Sequence, residues 1–246
     1  MALRITYEHY EAFPGWKAAP RFLSSVIERE SCTSVLEIGS GANPTLSPAD
    51  LEDRGLRYTT NDRLASELAK AGPAYETLLL DMATASPAML PREAFDLVFS
   101  RMVNEHVADG ERYYRNIFDV LRPGGVTAHC FSTLYALPFV VNRLAPERLA
   151  GRLLDAVRPR DRYRQDKFPA HYSWSRGPSG RTIERLSRLG YEIVEYRGYF
   201  GHPYYHHPAL RLVRALEEAK AGWLCRHPVA ALTSYAVVIL RKPRQG

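Results

Sequence analysis

The residues that most constrain this chain are Val35-Leu36-Glu37-Ile38-Gly39-Ser40-Gly41-Ala42-Asn43-Pro44. An apolar run of strand character passes straight into two spaced glycines. Glycine carries no Cβ, so such a turn can be tight and can let a ligand approach the backbone. The amide groups that follow then face the ligand at the carboxyl edge of a parallel sheet.

The rest of the sequence supplies that sheet. Ser34–Ile38, Leu56–Thr60, Tyr75–Leu80, Phe95–Phe99 and Val126–Phe131 read as strands. Helical spacing at Phe22, Leu23, Val26 and Ile27, and again over Arg63–Ala71 and Glu111–Leu121, alternates with them. Such alternation is the pattern of a parallel sheet with crossover helices. Residues 134–178 break the rhythm and read as a mainly helical cap insertion. Helix Arg181–Leu189 and strand Tyr191–Tyr196 resume it. A second insertion rich in Tyr and His, 201–230, carries a helix over Ala209–Ala221, and Tyr235–Leu240 is the last strand. The expected fold is α/β, a Rossmann-like, doubly wound, mostly parallel sheet of seven strands. It forms one domain over 1–246, with residues 1–30 as a helical lead-in.

Composition narrows the class further. The formal net charge is +6, which raises nucleic acid or an anionic membrane surface as partners. One local cluster, Arg152, Arg158, Arg160, Arg162, Arg164 and Lys167, reads as a solvated basic face. Cys32, Cys130 and Cys225 are odd in number and far apart, so neither a disulfide framework nor a zinc pair is expected. No apolar stretch approaches the ~20 residues of a membrane span, and no signal pattern is visible. A cytoplasmic protein is expected.

Three acids, Glu37, Asp62 and Asp81, fall at or near the ends of three successive strands, where ligands of open α/β sheets bind. Asp62 follows the glycine loop by about twenty residues, a spacing that suits an acceptor for two ribose hydroxyls. Asp81 is placed to reach the exocyclic amine of a base, with Met82 packing on its face. Histidine is the side-chain type suited to proton removal near neutrality, so His106, after the fourth strand, is the candidate base; capping or ordering the loop is the alternative. His129, inside the fifth strand, reads as a hydrogen-bonded core residue. Tyr10 and Trp16 in the lead-in, His171 and Tyr172 in the cap, and Tyr204 in the second insertion are candidates to wall an acceptor pocket.

Together, Leu36-Glu37-Ile38-Gly39-Ser40-Gly41, Asp62, Asp81-Met82, Phe95-Asp96-Leu97-Val98-Phe99-Ser100, Asn104-Glu105-His106-Val107 and Leu121-Arg122-Pro123-Gly124-Gly125 span about residues 33–132. In this order they resemble the class I S-adenosylmethionine-dependent methyltransferases, of the small-molecule subgroup. A dinucleotide-binding dehydrogenase would carry a third glycine where Pro44 stands, and would not explain the Arg-Pro-Gly-Gly turn. The resemblance implies that Gly39, Ser40, Gly41 and Asn43 pass the methionine portion and adenosine of the donor, with Glu37 near its amino group. It implies ribose binding by Asp62 beside Arg63, adenine binding by Asp81 and Met82, and a methionine-tail and acceptor mouth lined by Ser100 and Arg101. Asn43 stands where many members carry a third glycine; asparagine tolerates left-handed backbone, so a reshaped loop is expected.

The implied chemistry is methyl transfer from S-adenosyl-L-methionine, leaving S-adenosyl-L-homocysteine, to a small-molecule acceptor. A hydroxyl of a sugar-containing or secondary-metabolite compound leads. The Glu105-His106 pair resembles a metal-binding pair of some relatives, but the preceding carboxylate of their pattern is replaced here by Met102 or Arg101. No required metal is therefore expected. Two other readings stay open. The apolar stretch 134–154 with its arginines suits a lipid-linked glycan or other lipid acceptor at a membrane surface. A non-catalytic nucleotide- or nucleic-acid-binding protein on the same fold is the other, though no nucleic-acid partner is expected. Monomer and homodimer are both open.

Overall fold

The computed structural model describes residues 4–134, 169–203 and 211–244. Eight strands form one sheet: β1 (Arg4–His9), β2 (Ser34–Ile38), β3 (Arg57–Asp62), β4 (Glu76–Leu79), β5 (Phe95–Arg101), β6 (Leu121–Ser132), β7 (Glu192–Phe200) and β8 (Tyr235–Arg241). Their order is β1-β7-β8-β6-β5-β2-β3-β4. Only β8 runs antiparallel to its neighbours; every other pairing is parallel. The carboxyl ends of the other strands therefore share one edge. The order reverses between β2 and β5, which opens a crevice there for a ligand.

Described helices are α1 (Ala19–Glu30), α2 (Pro48–Arg54), α3 (Ala65–Leu68), α4 (Gly110–Val120), α5 (Gly180–Arg188) and α6 (Arg211–Arg226). The apolar stripe of α1, Phe22, Leu23, Val26 and Ile27, packs on Val35, Leu97, Phe99 and Val237 at one sheet face. Tyr113, Ile117 and Val120 of α4 and Leu186 of α5 cover Leu36, Val98 and Val238 at the other. Both faces of β2 and β5 are thus covered, which is why these strands read as nearly continuous apolar runs.

Three expectations are corrected. The sheet has eight strands, not seven, because the lead-in expected to be helical begins with β1. Its Arg4-Ile5-Thr6-Tyr7-Glu8-His9 alternates with period two and pairs along the edge strand β7. The helix expected over Arg63–Ala71 is regular only over Ala65–Leu68. An unanticipated helix, α2, is nucleated by a capping box between Ser47 and Asp50. The stretch 135–168, with the basic cluster and most of the apolar segment 134–154, lies outside the described residues, as does 204–210. No helix among the described residues is long and apolar enough to cross a membrane.

At the amino edge of the sheet, Asp96 of β5 is a clasp. Its Oδ2 accepts the amide and hydroxyl of Thr33 (3.0 and 2.9 Å) and of Ser34 (2.9 and 2.9 Å). Its Oδ1 accepts from Arg122 at 2.8 Å. Desolvation opposes the charge, but these donors outweigh it and hold the carboxyl well below its usual range. A Cβ on Gly125 would lie 2.9 Å from the Arg122 carbonyl and 3.0 Å from that of Asp96. The Arg-Pro-Gly-Gly turn is therefore part of the same clasp, at the end of the sheet away from the glycine loop.

His129 is a core residue, as its place in a strand indicated. Its Nε2 lies 2.7 Å from the Thr127 hydroxyl, which itself donates to the Val98 carbonyl at 3.0 Å. That hydroxyl thus accepts from Nε2–H, and Nδ1 lies 2.6 Å from the Ser100 hydroxyl. Burial pushes the imidazole down to about 3. In the unfolded chain it titrates near ~6.5. Between these values only the unfolded state binds the proton, so this contribution to stability is complete above the unfolded pKa and is lost as pH falls. The wild-type unfolding free energy, from urea titrations between about pH 6 and about pH 4, is expected to fall more steeply than that of His129→Gln. The difference approaches ~1.4 kcal/mol per pH unit. Equal slopes would mean that the imidazole titrates normally in the folded state.

Candidate active site

The β2 strand ends in two left-handed glycines whose form is imposed by their neighbours. Gly39 has φ +68°, and a Cβ there would lie 2.5 Å from Val103 Cγ2 in the segment after β5. Its amide donates to the Asn61 carbonyl at 2.8 Å. Gly41 has φ +45°, and a Cβ there would lie 2.9 Å from Asp62 Oδ2 and 3.0 Å from Glu67 Cβ. The glycine loop and the acid at the end of β3 are in contact, as the sequence spacing led one to expect. The other oxygen of Asp62 accepts the Leu64 amide at 3.0 Å, which fixes the carboxylate's direction. Arg63 is exposed beside it.

Asn61 joins this pair to the next strand. Its buried amide donates to the carbonyls of Leu78, its register partner, and of Leu80, just past β4, each at 2.8 Å. That fixes the chain immediately before Asp81. Asp81 Oδ1 accepts the Ala83 amide at 2.8 Å, and its carbonyl accepts from Thr84 and Ala85. Asn61 was not foreseen; the available signal is a polar side chain directly before the acid in an otherwise buried strand.

Glu37 works from beneath. Its Oε2 accepts the Thr45 amide (2.8 Å) and the Tyr58 hydroxyl (2.6 Å), and its Oε1 accepts the Thr45 hydroxyl (2.5 Å). Burial raises its carboxyl pKa, while these donors and Arg101 pull the other way. The carboxylate thus ties down the return of the glycine loop at Thr45. The reshaping expected at Asn43 takes another form: Asn43 is not left-handed, and a turn closed by its amide on the Ser40 carbonyl (2.8 Å) does the work.

Other candidates separate into those at the edge and those in the core. Arg101, Asn43 and Trp16 line an open cleft of about 490 Å³ together with Lys17, Pro44 and Thr45. Ser100 is buried, its hydroxyl 2.9 Å from Asn104 Oδ1 and directed into the His129 network rather than into that cleft. Met82 is also buried, with its side chain in the α4 core and its carbonyl accepting from Asn116 at 2.9 Å. Tyr10 and Tyr172 are core residues of the α1 face rather than walls of an open pocket, and the Tyr10 hydroxyl donates to Glu218 at 3.2 Å. Tyr204 lies outside the described residues.

His106 stands on a short 3-10 turn, Asn104–His106, at the carboxyl edge, and is exposed. Its Nδ1 is 3.1 Å from the Pro169 carbonyl. A carbonyl only accepts, so Nδ1 carries the proton and Nε2 is the basic nitrogen. The Glu105 carbonyl accepts the amides of His171 (2.7 Å) and Tyr172 (3.0 Å), which brings exposed His171 beside this turn. Glu105 itself was not singled out as a site residue. Its buried carboxyl accepts from the Ser132 hydroxyl at 3.0 Å, and burial raises its pKa.

Residues 36–128 match the family model of the methyltransferase domain. Its overall architecture is the fold of the class I S-adenosylmethionine-dependent methyltransferases. Solved structures share the fold at low identity. The [4+2]-cyclase SpnF is 18% identical, over 93% of this chain and 82% of that one, with a TM-score of 0.55. A S-adenosylmethionine-dependent methyltransferase from Archaeoglobus fulgidus is 13% identical, over 96% and 100%, with a TM-score of 0.53. The 1,6-didemethyltoxoflavin-N1-methyltransferase of Burkholderia thailandensis, crystallised with 1,6-didemethyltoxoflavin and S-adenosylhomocysteine, is 14% identical, over 95% and 80%, at 0.50. No curated protein matches the sequence.

The residues at this edge fit such a donor. Gly41 leaves a space against Asp62 that a single Cβ would fill, and two carboxylates at successive strand ends supply acceptors for hydroxyl and amine groups. Gly41→Ala is expected to weaken S-adenosylhomocysteine binding at least about tenfold, or ~1.4 kcal/mol. Gly55→Ala is the control. That glycine is also left-handed (φ +59°), yet a Cβ there would meet nothing within 4 Å. It should cost stability of roughly 1 kcal/mol, with no loss of affinity. Calorimetry with thermal melts separates the two, and equal affinity losses would reduce Gly41 to backbone strain alone.

Proposed function

We propose that this methyltransferase acts on a hydroxyl of a small-molecule acceptor, sugar-containing or secondary-metabolite in class. The observation that carries the hydroxyl assignment is His106, whose Nδ1 is engaged by the Pro169 carbonyl so that Nε2 is the basic nitrogen. A hydroxyl nucleophile loses a proton on methylation, and a basic imidazole nitrogen at the carboxyl edge is a group that can take it up. The 1,6-didemethyltoxoflavin bound to the Burkholderia enzyme supports an acceptor of small size.

When bound, S-adenosylmethionine supplies a methyl group on an electron-poor sulfonium sulfur. The chain's own residues supply position. Gly39, Ser40, Gly41 and Asn43 form the loop along the donor. Asp62, beside Arg63, accepts the ribose hydroxyls, and Asp81 accepts the exocyclic amine of adenine. Arg101 stands between Glu37 and the cleft, at the methionine end. Trp16 and His171 contact the acceptor. Aligning donor and acceptor in this way removes much of the entropic cost of a two-substrate reaction.

S-adenosylhomocysteine is expected to bind the wild type in calorimetry, and Asp62→Ala to lose most of that affinity. Absence of heat at millimolar ligand would end this reading. With an acceptor found by screening hydroxyl compounds, His106→Ala should slow turnover by roughly a hundredfold, the usual scale of a general base, and leave S-adenosylhomocysteine affinity unchanged. Unchanged turnover would remove His106 as the base.

A further inference from the structure

The α6 helix carries an apolar stripe on the wrong side. Its buried side is built by Ala221 and Leu224, which join Phe200, Tyr7 and Cys225 in a small core. Glu217 and Glu218 lie on that side as well. Glu218 Oε2 is 3.0 Å from His9 Nε2 and its Oε1 accepts from Tyr10, while Glu217 Oε2 is 3.8 Å from His202 Nε2. On the opposite side stand Leu212, Leu216, Ala219 and Trp223, spaced by four, three and four residues, which sets them in one line on a helix. Leu212 is 82% exposed, Leu216 71% and Trp223 50%.

The charges around this stripe are of one sign. Arg211, Arg214, Lys220 and Arg226 are exposed on α6, and the helix's only acids are the two glutamates turned toward the strands. Lys220 is also bonded to Glu217 at 2.5 Å and Arg214 lies toward Tyr10, which leaves Arg211 and Arg226 as the charges at the two ends. An apolar line with cationic ends is what a helix lying in the headgroup layer of an anionic bilayer presents. A second copy fits less well, because pairing the stripe with itself about a two-fold axis sets arginine against arginine.

Position matters too. Glu218 meets His9 at the end of β1 and Glu217 meets His202 just past β7, whereas Ala221 lies beside Gly201 and Leu224 and Cys225 share a core with Phe200 and Tyr7. The helix therefore runs against these strands, and its first turns, with Leu212 and Leu216, stand beyond the same edge that carries Gly39, Asp62 and His106. We propose that α6 docks the enzyme on an anionic phospholipid bilayer, with the carboxyl edge of the sheet turned toward the lipid. The inference does not depend on which acceptor is methylated.

Flotation with vesicles of phosphatidylcholine alone, or with about a third phosphatidylglycerol, tests this in low salt. The wild type should float with the anionic vesicles and not with the neutral ones. Leu212→Gln/Leu216→Gln should lose at least about tenfold in vesicle affinity; both positions are exposed, and unchanged S-adenosylhomocysteine binding verifies the fold. Trp emission should shift to the blue on adding anionic vesicles, and Trp223→Phe should abolish the shift. Three outcomes would overturn the proposal: no flotation of the wild type, equal flotation of the double variant, or a dimer in sedimentation velocity that the double variant dissociates without any vesicle binding.

Discussion

A carboxylate sealed inside the sheet is the constraint on which the site depends. Glu37 sits on a central strand, away from water, and three protein donors satisfy it. A buried charge without such donors would cost several kcal/mol or simply take up a proton. Two of those donors belong to Thr45, so satisfying the charge requires the glycine loop to fold back over β2 and β3. Once the loop is folded back, Gly41 comes against Asp62. Asn61 then ties the end of β4 to the same place and sets Asp81 beside it. Geometry that looks like ligand binding is, one step down, the solution to a solvation problem.

The two edges of the sheet divide the labour. The motif blocks that name the family are spread over both. Gly39, Gly41, Asp62 and His106 lie at the carboxyl edge, where open α/β sheets bind ligands. Asp96 and the Arg122–Gly125 turn lie at the amino edge and bind each other, the start of β2 and, through Gly124 and Gly125, Arg241 and Lys242 at the end of β8. They carry the resemblance through the fold they hold together. The same distinction applies within the fourth motif block, where Ser100 serves the His129 network and its neighbour Arg101 faces the cleft.

What the sequence made legible follows from which signals are local. The strands β2 and β5 are covered on both faces, so their apolar runs stand out, and the spacing from Gly41 to Asp62 survives because one short crossover sets it. The edge strand β1 was missed because its side chains are only partly buried and its six residues were too few to set against the aromatic helical pattern expected of the lead-in. Met82, Tyr10 and Tyr172 were placed at ligand surfaces by residue type, but an aromatic or thioether side chain serves a core equally well, and here all three are buried. Asn61 and Glu105 act through contacts with residues far away in the chain, which periodicity cannot register. The outward stripe of α6 was invisible for the opposite reason: in sequence Leu212, Leu216 and Trp223 look like an ordinary core face, and only packing shows that the other side of the helix is the buried one.

Hydrogen–deuterium exchange with and without saturating S-adenosylhomocysteine tests the central claim, that the loop anchored by Glu37 is the donor site. Slowed exchange is predicted at the amides of residues 40–45 and 81–85, with the amino-edge turn Arg122–Gly125 unchanged. Exchange at residues 40–45 that does not respond to the ligand, while slowing appears elsewhere in the sheet, would contradict it.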